Sequence, residues 1–293
     1  MDDSLSHWLR LREPFDTTAR SDVLARAVAS TMPHDQPLYA VDLASGTGAN
    51  IRYLAERLHG QQRWLAVDRD AALLGELLDR TCAWGVARGF DVRLDATSCL
   101  VRGATIECRI ETRQADLRAL DERAIFAGRQ LVTASALLDL VSESWLEALV
   151  ARCRAEGAAA LFSITYDGRS SCTPKDPVDD FVRELFNRHQ KTDKGLGGPA
   201  AGPDAVDAVE RCYSDAGFSV RREASDWIVP PSAREFQRLL VDGWAHAAAE
   251  VAPVLAVPIR DWHARRVAHI NDGRSRVEVG HADVAAWPPG ARS

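Results

Sequence analysis

The chain has 293 residues, of which 46% are apolar and 27% charged, with a formal net charge of −6. That length fits one large domain, or one domain with insertions, whose core needs no disulfide or metal staple. The acidic balance disfavours a nucleic-acid partner: the 36 basic residues are mostly arginine, spread along the chain rather than clustered as phosphate binding requires.

Six cysteines stand at 82, 99, 108, 153, 172 and 212. They form no C-x-x-C and no zinc spacing with histidine, so they read as thiols of a reducing compartment and no metal is expected. No apolar run approaches the ~18 residues of a membrane span. The acidic start Met1-Asp2-Asp3-Ser4 has no signal-peptide pattern, so the expected location is the cytoplasm.

Residues 1–36 read as a helical cover and residues 37–293 as the main domain. In the leader, Ser6–Leu11 is short and amphipathic, and Pro14 and Asp16 break it. Ser21 caps a helix from about Asp22 to Ser30. Tyr39–Leu43 then reads as a buried strand, Ala44–Gly48 as a tight loop, and Asn50 onward as a helix with the apolar stripe Ile51, Leu54, Ala55 and Leu58. Gly46 and Gly48 let the backbone turn sharply and let a ligand approach without meeting a Cβ. The helix start offers unpaired N–H groups to a polar ligand. Asp42 places a carboxylate beside the loop, suited to a hydroxyl or an ammonium.

A second strand, Arg63–Val67, ends in Asp68-Arg69-Asp70. An acid there, about 20 residues past the loop, is the ribose-binding device of nucleoside-binding α/β folds. Asp68 also reads as an N-cap for the following helix, a role Asp70 fills at least as well. That helix runs to about Arg88. Phe90–Leu94 and Thr105–Arg113, with Arg102-Gly103 between them, indicate an extra strand or hairpin before or within strand three.

Leu131–Ala136 reads as strand four. Ser144–Glu147 is a capping box for a helix that ends at Gly157, and Ala158–Ile164 is strand five, which Tyr166–Arg169 leave. Asp176–His189 reads as a helix. The polar, glycine-rich stretch Arg188–Pro199 is too long for a plain connection. Asp204–Ala216 is the next helix and Phe218–Val229 strand six. Residues 231–270 form a helical insertion, and Val277–Trp287 is strand seven. The fold class is α/β: a doubly wound, mostly parallel seven-stranded sheet with an antiparallel edge strand, a helical leader and a helical insertion.

On these motifs the chain resembles the class I S-adenosylmethionine-dependent methyltransferases. Asp42-Leu43-Ala44-Ser45-Gly46-Thr47-Gly48 is similar to their acidic residue followed by Gly-x-Gly-x-Gly, with Ala44 in place of the first glycine. The sixth position from Gly46 is Ile51, which argues against the dinucleotide fingerprint. Arg113–Leu117 resembles the third family motif and Gln130–Leu140 the fourth strand with its active-site loop. The resemblance implies S-adenosylmethionine as cofactor, held by Arg20, Asp42, Ala44, Ser45, Gly46, Gly48, Asn50, Asp68, Arg69, Asp116, Leu117 and Ser135. Asp68 would take the ribose, Asp116 and Leu117 the adenine, and Arg20 the carboxylate; Arg20 also reads as a solvated arginine near a helix start.

Methyl transfer needs alignment, exclusion of water and sometimes removal of a proton. His189 is the candidate base for an oxygen or nitrogen acceptor, with Asp193 to orient it; it also reads, more simply, as a surface histidine at a helix end. Asp139, Tyr166 and Trp244 are candidates to touch the acceptor, each with an alternative role in capping or packing. The expected function is methylation of a small molecule, at oxygen, by a chain that also suits a homodimer. The alternatives are a protein or RNA methyltransferase, aminopropyl transfer, and a non-catalytic cofactor-binding scaffold subunit.

Overall fold

A computed structural model describes residues 3–32, 35–58 and 60–290. Met1 and Asp2 of the acidic start lie outside them.

Two helices, α1 (Asp3–Ala19) and α2 (Asp22–Thr31), lead into β1 (Leu38–Leu43). Then come α3 (Ala49–Ala55), β2 (Gly60–Asp68) and α4 (Ala71–Ala87). A three-strand meander follows, β3 (Asp91–Asp95), β4 (Ser98–Arg102) and β5 (Ile106–Gln114), then α5 (Arg123–Phe126) and β6 (Leu131–Ser135). Next are α6 (Glu143–Glu156), β7 (Ala159–Thr173), α7 (Asp179–Gln190), α8 (Ala205–Asp215), β8 (Ser219–Ala224) and β9 (Trp227–Val229). The chain closes with α9 (Arg234–Val251), α10 (Ala256–Asn271) and β10 (Arg276–Trp287).

The strands form one sheet in the order β3-β4-β5-β2-β1-β6-β7-β10-β8, with β9 paired to β10. Pairs β5–β2, β2–β1, β1–β6 and β6–β7 are parallel, and β10 runs antiparallel between β7 and β8. The expected seven strands thus form the body of the sheet, which has ten among the described residues because hairpin β3–β4 extends one edge and strand six is split into β8 and β9. Alternate residues of β1 and β2 point to opposite cores: Val41, Leu43, Leu65 and Val67 to one, Leu38, Ala40, Trp64 and Ala66 to the other. That alternation makes the sheet doubly wound.

Several local expectations differ from the fold. Helix α1 runs through Pro14 instead of ending there. Trp8, Leu11, Phe15 and Ala19 lie at helical spacing and pack on a third core built from α7, α9, α10 and the far ends of β7 and β10. That burial outweighs the single backbone hydrogen bond that proline removes. The cap of α6 is Ser142, whose Oγ accepts from Trp145 N at 3.2 Å, not Ser144. Strand β7 does not stop at Ile164 but pairs with β10 as far as Thr173, through a bulge. At the bulge Ile164 has φ +54°, and its N–H donates to the buried Asp283 Oδ1 at 2.8 Å. Asp283 Oδ2 accepts from Ser21 N at 2.8 Å and so ties the start of α2 to the sheet. No helix among the described residues is long and apolar enough to cross a membrane.

Candidate functional site

The parallel strands β1, β2, β5 and β6 end on one side of the sheet, and the chain leaves each of them into the wall of one cavity of about 410 Å³. Cavities of this size hold small ligands, and in doubly wound sheets they form beyond the strands' carboxyl ends. Ala44, Ser45 and Gly46 follow β1, Asp68 ends β2 and Arg69 follows it, Asp116 and Leu117 follow β5, and Ser135 ends β6. Asp42, Asn50 and Arg20 complete the expected set lining it. Gly48 is not among the lining residues.

The two glycines serve the protein's own packing. A Cβ on Gly46 (φ +52°) would lie 3.2 Å from Leu9 Cδ1 of α1, and one on Gly48 (φ +80°) 2.6 Å from Leu77 Cγ of α4. The position of the missing motif glycine, Ala44, has φ +51°. An L-residue there carries strain of about 1–2 kcal/mol, which glycine would relieve. Ser45 Oγ donates to Asp42 O at 2.7 Å and accepts from Val67 N at 3.1 Å, so its side chain braces the loop against β2.

Asp68 is pinned from two sides: Oδ2 accepts from Gly46 N at 2.8 Å and Oδ1 from Asp70 N at 3.0 Å. It does not cap α4; Asp70 does, accepting from Ala72 N and Leu73 N. Asp42 is buried at the end of β1, where Oδ1 accepts from Asn50 Nδ2 at 2.7 Å and Thr133 Oγ1 at 2.8 Å. Its Oδ2 has no partner. Burial pushes the Asp42 carboxyl up to about 6, against the pull of Asn50, Thr133 and the Arg20 charge. Arg20 is buried as well, not solvated. Its Nη2 donates to Ser135 Oγ at 2.8 Å, its guanidinium lies 5.0 Å from the Tyr53 ring centroid, and its Nε is unpartnered. Asp116 is exposed and accepts from Arg118 N and Nε, the backbone bond above all holding its carboxyl below the usual range.

The remaining candidates stand elsewhere. None of His189, Asp139, Tyr166 and Trp244 lines the cavity. Asp139 is the middle residue of the 3-10 turn Leu138–Leu140, where burial pushes its carboxyl up to about 6. Tyr166 donates to Asn187 Oδ1 at 2.8 Å within the third core, and Trp244 packs near Phe186 there. These aromatic groups are buried by α7 and α9, which fold over the extension of β7. His189 is oriented not by Asp193, whose Oδ1 accepts from Gly195 N, but by Glu250, at 2.9 Å from Nε2.

The sequence reads residues 1–36 as a helical cover but does not single out the side chains that roof the cavity. Leu5, Trp8, Leu9, Arg12 and Asp16 of α1 line the cavity, as does Lys194. Asp16 accepts from Arg12 Nε at 2.9 Å and from Trp227 Nε1 at 3.0 Å. Arg52 donates to Glu13 at 2.6 Å and to Thr47 O at 2.6 Å, joining α1 to the loop after β1. The helical spacing of Trp8, Leu11 and Phe15 carried the signal for this helix.

No protein-family model matches the chain, and no curated protein matches it. Among solved structures it is similar to the mycolic acid cyclopropane synthase CmaA1 complexed with SAH and CTAB, at 11% identity over 90% of this chain and 82% of that one, with a TM-score of 0.44. It is also similar to the cyclopropane synthase MmaA2 from Mycobacterium tuberculosis (10%, 89% and 82%, 0.42) and to geranyl diphosphate methyltransferase in complex with SAM (11%, 91% and 84%, 0.40). At these identities and TM-scores the likeness assigns no chemistry to this chain. The sheet order, the loop after β1 and the acid that ends β2 make the chain a doubly wound α/β fold with a ligand-sized cavity beyond the carboxyl ends of its parallel strands.

Proposed function

We propose that the chain is an S-adenosylmethionine-dependent methyltransferase acting on a small molecule, at oxygen. The observation that carries this reading is a set of buried polar atoms without partners on residues lining the cavity: Asp42 Oδ2, Asn50 Oδ1 and Arg20 Nε. Unpaired buried groups are costly, so a ligand that completes them is favoured. Two acceptors and one cationic donor complement an ammonium and a carboxylate on one ligand, which is the amino-acid end of the cofactor. Asp68 supplies a carboxylate for the ribose hydroxyls, and Asp116 with Leu117 supplies the adenine end. When bound, the cofactor carries a methyl group on a positively charged sulfur. The chain's own residues bind it, orient it and exclude water, the last through Leu5, Trp8 and Leu9 of the roof. That roof also favours a small acceptor over a polymer.

Calorimetric titration tests the cofactor class. Micromolar binding of S-adenosylmethionine and S-adenosylhomocysteine, with none of NAD, is expected; failure of both to bind overturns the reading. A panel of phenols, alcohols and carboxylic acids, scored by transfer of labelled methyl, then tests the oxygen acceptor.

The Asp42 carboxyl sets a pH dependence. An ammonium beside it favours the ionised form, so S-adenosylhomocysteine affinity should be level above pH ~7 and fall by about tenfold per unit below pH ~6. For folding the sign is opposite. The native value of about 6 exceeds the ordinary 3.8, so the stability tied to Asp42 is full below 3.8 and lost as pH rises through about 6. Asp42→Asn should flatten both trends, measured by calorimetry and urea unfolding at pH 5, 6 and 7. An unchanged pH profile of affinity in the variant would separate Asp42 from the ammonium.

A further inference from the structure

The chain holds three lysines, 175, 191 and 194, among its 36 basic residues. Lys175 is exposed and Lys191 pairs with Asp204 at 2.6 Å. Lys194 lines the cavity beside Leu140 and Leu196, with no carboxylate within 4.0 Å among the described residues. In a chain that uses arginine almost everywhere, the cation here is the one that can give up its proton.

Its Nζ lies 3.3 Å from His189 Nδ1 and 3.0 Å from Thr192 Oγ1. An ammonium only donates, so Nδ1 accepts, and the ring's proton on Nε2 goes to Glu250 Oε2 at 2.9 Å. Glu250 is half exposed and also meets His246 Nε2 at 3.2 Å. A hydrogen-bonded array therefore runs from the cavity wall through α7 to solvent at α9. Building on the methyltransferase reading, we propose that Lys194, relayed through His189 to Glu250, takes the proton from the acceptor hydroxyl.

The protons balance along that line. Lys194 first passes a proton to His189 Nδ1, and the imidazolium so formed is paired with Glu250 until it loses its proton to solvent. The free amine then takes the hydroxyl proton, and the oxygen keeps the electron pair that forms its bond to the methyl carbon. Burial pulls the Lys194 ammonium down, while Glu250 and the buried Asp139 push it up; Arg12 in turn acts on Asp139. His189 is a positioning residue in this scheme, which explains a histidine that the cavity does not reach.

Three lysines make the test direct. In protein labelled with ¹³C-lysine, the ε-methylene signals are assigned with K175R, K191R and K194R and followed against pH. The Lys194 midpoint should lie below those of the other two, and E250Q should lower it further while leaving them in place. A Lys194 midpoint level with the others, or one that E250Q does not move, overturns the relay. With the acceptor that scores highest in the panel, K194R and K194M should both slow turnover about 100-fold, with KM changed only a few-fold. Wild-type turnover in K194R would make Lys194 a mere charge and overturn the proposal. The titration needs neither cofactor nor acceptor. If wild-type protein fails to bind S-adenosylhomocysteine the methyltransferase reading falls; if it binds and Lys194 titrates ordinarily, the relay alone falls.

Discussion

Asp68→Ala should weaken S-adenosylhomocysteine binding by about 1.5–3 kcal/mol, the loss of hydrogen bonds to a charged acceptor. In affinity this is about 10- to 150-fold. The structure adds a second consequence. Asp68 accepts from Gly46 N and Asp70 N, so the variant also leaves the loop after β1 and the turn into α4 without their shared anchor. A stability loss of about 1–3 kcal/mol should accompany the binding loss, because the Gly46 N–H becomes an unpaired donor in a buried place. The two effects separate by experiment: urea unfolding reads the anchor and calorimetry on the folded variant reads the ligand. Unchanged affinity in folded Asp68→Ala would remove Asp68 from the ribose and leave it as a loop pin. Asp68→Asn refines the result, since its amide keeps one oxygen acceptor but loses the charge.

What the sequence disclosed and what it withheld divide along the distance between interacting residues. The strand, loop and helix around Asp42 were legible because their signals are local: an apolar run, small residues, then a helical stripe. The caps at Ser21 and Asp70 were legible for the same reason. Even among local signals, Ser142 and Ser144 compete for one helix start, and spacing alone favours the wrong one because Ser144 has Glu147 three residues on. The partners that define the site lie far away in sequence. Glu250 stands 61 residues from His189, and Trp227, which fixes Asp16 of the roof, is 211 residues from it. No periodicity encodes such pairs, and the sequence offers His189 only its near neighbour Asp193. Pro14 misled in the same way: as a local breaker it ends a helix, but the burial of Trp8, Leu11 and Phe15 against α9 and β9 decides the outcome.

Gly48→Ala should destabilise the fold by about 2–5 kcal/mol, the larger of these effects and one aimed at packing rather than the ligand. Gly48 precedes α3 in the left-handed region, at φ +80° and ψ 15°, which costs an L-residue about 1–2 kcal/mol. The added methyl would also stand 2.6 Å from Leu77 Cγ and 3.1 Å from Arg52 Nη1. Leu77 is fully buried in α4 and cannot swing away, so overpacking adds about 1–3 kcal/mol. The contact with Arg52 spreads the damage, because that guanidinium holds Thr47 O on one side and Glu13 of the roof on the other. Urea unfolding of Gly48→Ala should therefore show a lowered midpoint with little change in slope. Gly48→Ala/Leu77→Ala should recover the steric part and not the backbone part, less the cost of the hole left at Leu77. If the single variant loses less than about 1 kcal/mol, the close approach of α3 and α4 is not what requires glycine here. Loss of ligand affinity at unchanged stability would instead return Gly48 to the cofactor, the role its place in the motif first implied.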